Sequence, residues 1–223
     1  MAAPVTALPA SRRFDWAIAF AVVGGGALIG YLAVGYARPI VRDKYFPWIV
    51  GRASGLGAYV ALTALVILGM WLRHPWRARF TRPHVESQLR AHAALGLGCV
   101  ALLGAHVVSL ALDKYAGVGW IGVFVPLRAT YRPTAVALGV FGFYLLVVIT
   151  VTARIGGRLV GRQWLPVHRL ALPLWALVWL HGLLSGADAP RLRMFYAVTG
   201  VIVLMTMVTR VFGRAVATRV AVR

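Results

Sequence analysis

Residues 164–182 read WLPVHRLALPLWALVWLHG, an apolar helix with His168 near its start and His181 near its end. An upstream stretch, LRAHAALGLGCVALLGAH at 89–106, repeats the pattern with His92 and His106. An imidazole inside a hydrophobic span is expensive without a partner, so each of the four is a candidate functional residue. The separations are 14 residues in one stretch and 13 in the other, which at the helical rise is roughly 20 Å along each axis. That distance is most of the hydrocarbon thickness of a bilayer, so each helix offers one imidazole near each membrane face. A rotation of about 100° per residue leaves positions 14 apart within about 40° of one face, but positions 13 apart about 140° away. As straight helices the two do not match. Pro173 lies between His168 and His181 and removes a backbone donor, so a bend there is expected to bring His181 round.

Composition sets the surroundings of these helices. Of 223 residues, 61% are hydrophobic and 13% charged, which excludes a soluble globular domain of this length and requires a polytopic membrane protein. The single cysteine, Cys99, lies mid-span and excludes a disulfide framework or a cysteine-rich metal site. The net charge of +19 comes from 22 Arg and 2 Lys against five acids. Because the basic residues cluster between apolar runs, they read as loop anchors rather than a nucleic-acid surface, and no nucleic acid is expected. The arginine bias, with abundant Ala, Val, Leu and Gly, points to a GC-rich bacterial genome and so to a bacterial inner (plasma) membrane.

Working outward gives an all-α bundle of six transmembrane helices. Residues 1–13 form a disordered lead-in, 14–212 the six-helix domain, and 213–223 a basic tail. The first apolar run, Phe14–Tyr36, is too long for a signal sequence and contains Gly26-x-x-x-Gly30, a spacing that permits close helix packing. The second span runs from about Trp48 to Trp71 and opens with GRASGLGAY, which sets Arg52 just inside the apolar layer. Two readings of Arg52 stand, a snorkelling anchor or a charge that meets a buried anion. In the loop that follows, His74 and His84 are expected to be solvated.

The third span, Glu86–Leu112, presents Gly96, Cys99 and Leu103 between its histidines. Small side chains there suit close helix contact or a flat ligand equally. Residues 113–132 are too apolar for an ordinary loop and are expected to lie in the interface or fold back as a cap. Their G-x-G-x-x-G (Gly117, Gly119, Gly122) follows no strand and is no nucleotide site. The fourth span is Pro133–Ala153, the fifth Leu165–Ser185, and the sixth Met194–Phe212. With the N-terminus cytoplasmic, 15 Lys/Arg fall inside and 9 outside, which favours both termini in the cytoplasm. The third and fifth spans then run parallel, with His92 and His168 in the inner half and His106 and His181 in the outer half.

Four imidazoles at two depths could bind metal, relay protons or ligate haem. A bare metal site would cluster its ligands, as H-E-x-x-H does, and a relay would recruit carboxylates, yet none of the five acids lies mid-span. Haem fits better, since one macrocycle bridging two helices at each depth satisfies every imidazole. Without C-x-x-C-H, attachment would be non-covalent, as in haem b. Histidine on both axial positions leaves iron no open site, which suits electron transfer.

The double spacing in HAALGLGCVALLGAH and VHRLALPLWALVWLHG, with GRASGLGAY and VPLRATYRP, resembles the ferric reductase-like transmembrane domain. That domain is shared by ferric reductases, NADPH oxidases and the membrane subunit of a bacterial methionine sulfoxide reductase system, and the resemblance covers about residues 47–190. It implies two haem b groups, the inner on His92 and His168 and the outer on His106 and His181. Arg52 and Arg128 are then candidates beside the outer haem, where a propionate or bound acceptor would explain a guanidinium. The oxidases and eukaryotic ferric reductases of the family carry a flavin and nicotinamide domain after the last span, whereas this sequence ends about ten residues past it. No flavin or nicotinamide site is therefore expected in the chain. Electrons are expected to arrive from a separate flavoprotein or from quinol and to leave to ferric iron, oxygen or a periplasmic reductase. No residue is expected to act in covalent or acid–base catalysis. The rival expectation is a non-redox membrane scaffold or assembly subunit that keeps the fold without haem. Trp175 and Trp179, between the two depths, read either as packing residues or as couplers of the haems.

Overall fold

A computed structural model gives the fold, and it describes residues 43–79, 84–159 and 164–221. The lead-in and the expected first span, Phe14–Tyr36, lie outside the described residues, as does Gly26-x-x-x-Gly30. Pro47–Arg223 forms one compact unit and Met1–Phe46 another. The described residues contain helices and no strand: α1 (Phe46–Leu72), α2 (Val85–Leu112), α3 (Gly119–Phe124), α4 (Pro133–Leu159), α5 (Trp164–His168), α6 (Ala171–Ser185) and α7 (Arg193–Ala221). Among the described residues, five spans are long and apolar enough to cross a membrane, with α5 and α6 together making one. They correspond to the expected second to sixth spans.

Glycines and small polar side chains set how the spans pack. On α1, Cβ atoms added at Gly51 and Gly57 would meet Leu110 and Leu102 of α2 at 3.1 and 3.4 Å, so α1 and α2 run antiparallel. Gly142 of α4 lies against Val178 of α6 in the same way, and Gly200 of α7 lies against Trp179. Hydrogen bonds between helices add to this. Tyr59 Oη and Thr199 Oγ1 are 2.5 Å apart, and Trp175 Nε1 donates to Thr63 Oγ1 at 3.0 Å. In hydrocarbon such bonds average about 0.6 kcal/mol each, because the separated helices also find partners. Their value here is register: they fix α1 against α6 and α7 at the level between the two histidine pairs. The buried core lies at that level too, around Leu62, Cys99, Leu174 and Trp175.

The outward faces are apolar. Leu97 on α2 is 65% exposed, and Val201 and Leu204 on α7 are more than half exposed. Contiguous surfaces of this kind are untenable in water and ordinary against lipid.

Two expectations are corrected. His74 is buried rather than solvated. Its ring stacks on Trp71, its Nδ1 accepts the Trp76 backbone N–H at 3.2 Å, and its Nε2 lies 3.4 Å from Thr209 Oγ1 of α7. A polar ring in a loop can thus be drawn in when that loop seals onto a helix, here the 3₁₀ turn Pro75–Arg79 against α7. His84 is exposed, as expected. The basic residues from Gly213 on continue α7 as helix to Ala221, consistent with their Ala and Arg content and the lack of proline. Second, the fifth span breaks at Arg169–Leu170, one turn before Pro173. The proline ring clashes with the carbonyl four residues back, which belongs to Arg169, so the disruption falls there.

The 113–132 connection folds back as a cap. Asp113, at the end of α2, accepts the backbone N–H groups of Tyr115 and Ala116. Gly117 and Gly119 then turn with φ of +66°, and α3 returns alongside α4, where Tyr144 Oη donates to Phe124 O at 2.7 Å. The G-x-G-x-x-G is therefore turn chemistry and close packing: a Cβ at Gly122 would lie 3.0 Å from Ala129 Cα.

Candidate functional site

The four histidines of the two long spans meet as two pairs. The His92 and His168 ring centroids are 6.0 Å apart with planes at 65°, and those of His106 and His181 are 6.4 Å apart at 81°. The pairing makes α2 and the α5–α6 span co-directional and places one pair toward each end of the bundle.

At the His106 end one local device occurs twice. In an α-helix the carbonyl of residue i faces the N–H of residue i+4, and a side chain at i+4 normally screens it. Here residue i+4 is glycine. His106 Nδ1 donates to Gly51 O at 2.7 Å, and its ring lies so close to Gly55 that a Cβ there would be 2.6 Å from Nδ1. His181 Nδ1 donates to Ala135 O at 2.8 Å, and a Cβ at Gly139 would be 2.7 Å from its Cε1. A carbonyl can only accept, so each Nδ1 carries the proton and each Nε2 keeps its lone pair. That is how proteins present imidazole to a metal. Ser185 Oγ lies 3.3 Å from His181 Nδ1 and donates to the His181 carbonyl.

The His92 end is built differently. Gly69 of α1 faces the His92 ring, with a Cβ there 3.4 Å from Cε1. The Nδ1 atoms of His92 and His168 are buried without a hydrogen-bond partner, an expensive state for imidazole in a dry interior. Trp164 packs edge-on against His168 at 5.0 Å. A Cβ at Gly96, one turn from His92, would meet nothing within 4 Å. The small face of α2 is therefore not spent on helix contact at that point. Cys99, further along, is taken up by packing, its thiol 3.6 Å from Ala58 O.

A cavity of about 430 Å³ opens beside the His106–His181 pair and is lined by both rings, by Gly55 and Gly139, and by Arg52 and Asp188. Its size falls within the range of small-molecule and cofactor sites, and its lining is mostly apolar with a few convergent polar groups. Arg52 belongs to this site, but its anion is one of the chain's own. It forms an ion pair with Asp188, from the connection after α6. Arg128 is exposed and does not line the cavity. Among the described residues no group of three or more His, Cys, Asp or Glu is placed to hold a bare metal ion.

The family model described as the ferric reductase like transmembrane component matches residues 54–179, more than half of the chain. The chain belongs to that family. No curated protein and no solved structure matches it. The match covers three of the four histidines and ends two residues short of His181, so within this ferric reductase-like domain the partner of His106 is assigned by geometry.

Sequence reasoning did not find Gly55, Gly139, the carbonyls of Gly51 and Ala135, or Asp188. A signal for the first existed in GRASGLGAY, where Gly51 and Gly55 stand four apart. Asp188 carries no motif. Of the two tryptophans, Trp175 is hydrogen-bonded to Thr63 and Trp179 donates to Tyr196 O at 3.0 Å. The indoles stack at 6.1 Å, so both are fixed in place between the two levels.

Proposed function

We propose that this ferric reductase-like domain is a dihaem b-type carrier that passes electrons across the membrane, with one haem held by His92 and His168 and the other by His106 and His181. The observation that carries the reading is the ring spacing. A metal–nitrogen bond is about 2.0–2.1 Å, and an imidazole nitrogen lies about 1.1 Å from its ring centre. Two imidazoles holding one iron between them would have centroids about 6.3 Å apart, against 6.0 and 6.4 Å here.

The residues around each pair fit such a group. At the His106 end the Nδ1–carbonyl bonds free both Nε2 atoms, and the cavity lining is mostly apolar. At the His92 end, buried ring nitrogens without protein partners and the open space beside Gly96 suit a flat group lying on α2. When bound, haem with two histidine ligands supplies one-electron chemistry with no free coordination site. The chain's part is to hold both sites at fixed depth, roughly 20 Å apart along α2.

The donor side would be the His92 end, where Arg73, Arg77 and Arg169 give a basic surface suited to an acidic flavoprotein; quinol is the other donor class. The acceptor, at the His106 end, would be ferric iron, oxygen or a periplasmic reductase, with the protein in a bacterial inner membrane. Purified protein expressed with ample haem should give two haems per chain by pyridine haemochrome titration. A folded protein without a Soret band would sink the reading and leave the scaffold alternative.

A further inference from the structure

Arg52 and Asp188 are 136 positions apart in the chain and meet at the wall of the His106–His181 cavity. Arg52 directly follows Gly51, whose carbonyl holds His106, and precedes by one turn Gly55, against which that ring packs. Asp188 stands seven residues past His181, beyond the end of α6. The guanidinium donates through Nε to Asp188 Oδ2 at 3.0 Å and through Nη2 to the same oxygen. Trp48 lies beside the guanidinium, 5.4 Å from ring centre to Cζ. The guanidinium is therefore oriented by Asp188 and by Trp48, at the wall of the site.

Stability does not account for it. The two side chains are 37% and 34% exposed, and ion pairs in that range contribute little net free energy. Topology does not either, since Arg52 lies inside a span while most of the basic residues lie between spans. What distinguishes the pair is its place: Arg52 follows the residue whose carbonyl holds His106, Asp188 stands seven residues past His181, and both line the cavity beside that pair of rings.

We propose that Arg52 and Asp188 together trim the redox potential of the centre held by His106 and His181, with Asp188 the positioning partner that directs Arg52 and offsets its charge. The inference rests on the dihaem reading. When that centre takes up one electron it becomes one unit less positive, and no bond forms or breaks. A nearby positive charge favours the reduced form and a nearby negative charge opposes it, most strongly across a low-dielectric cavity. The centre at the other end, about 20 Å away along α2, feels both charges weakly.

Spectroelectrochemical titration of the full-length protein, resolving two optical transitions, tests this. The transition missing in His181→Ala identifies the His106–His181 centre. Asp188→Asn should raise its midpoint, Arg52→Gln should lower it, and the double variant should return close to the starting value, all with the other transition unmoved. Arg52→Lys keeps the sign of the charge and should shift it least, so Asp188→Asn and Arg52→Lys decide the matter even if Arg52→Gln fails to load haem at that end. Two haems per chain with shifts of the same sign, or with no shift, overturn the inference alone. An unmodified protein that binds no haem overturns the dihaem reading as well.

Discussion

At the level of single residues the chemistry rests on what glycine omits. His106 and His181 reach helix carbonyls only because Gly55 and Gly139 put no side chain in the way. A methyl at Gly139 would have to displace His181 Cε1 and Nδ1, which it would approach to 2.7 and 2.8 Å. Gly139→Ala should therefore behave like His181→Ala: one haem per chain lost by pyridine haemochrome, with the spectrum of the other retained. Overpacking of this kind costs typically 1–3 kcal/mol, small enough for the fold to survive. If Gly139→Ala kept both haems unchanged, the notch would have no role in holding the ring. The histidines themselves were legible in the sequence because imidazoles are rare in apolar spans. The notches were not, because glycine is common in membrane helices and only the facing ring makes one of them special.

At the level of helices, five of the spans were readable from hydrophobic length, each end within a few residues except where α4 and α7 run on past the apolar stretch. The mismatch of 14 and 13 residues also correctly demanded a break in the fifth span. Its place was misjudged because a proline acts one turn upstream of itself, on the carbonyl of Arg169. The break is what lets His168, in α5, and His181, in α6, face His92 and His106 at once. Pro173→Ala restores an N–H able to bond Arg169 O and removes the ring clash, which favours a continuous helix. His168, on the short α5, is the residue such a helix would carry away from its partner. The expected outcome is a lost or spectrally altered haem at the His92 end with the His106–His181 haem retained. The converse pattern would show that the break serves the other pair. His74 carries the same lesson for loops: nothing in RHPW announces burial, which follows from the turn closing on Thr209 and Gly213 of α7.

For the whole molecule the direction of electron flow depends on which end faces the cytoplasm. Among the described residues from Pro47 on, ten Lys/Arg stand toward the His92 end of the spans and six toward the His106 end, and a bias of this kind orients membrane proteins with the richer side inward. The acids sharpen the difference, because Asp113 and Asp188 both stand at the His106 end, where Asp113 caps the turn after α2 and Asp188 pairs with Arg52. Cysteine labelling can read this directly, since the chain's only native thiol, Cys99, is buried mid-span. Ser87, in the first turn of α2 beside exposed Glu86, and Tyr115, exposed in the cap, mark the two ends. In intact cells a membrane-impermeant maleimide should label Tyr115→Cys and should label Ser87→Cys only after the membrane is opened. The opposite pattern would put the His92–His168 pair on the outside and reverse the proposed flow. Such a reversal would leave the proposed haem ligands untouched, because the pairing of rings depends on how α2, α5 and α6 pack and not on which way the bundle is inserted.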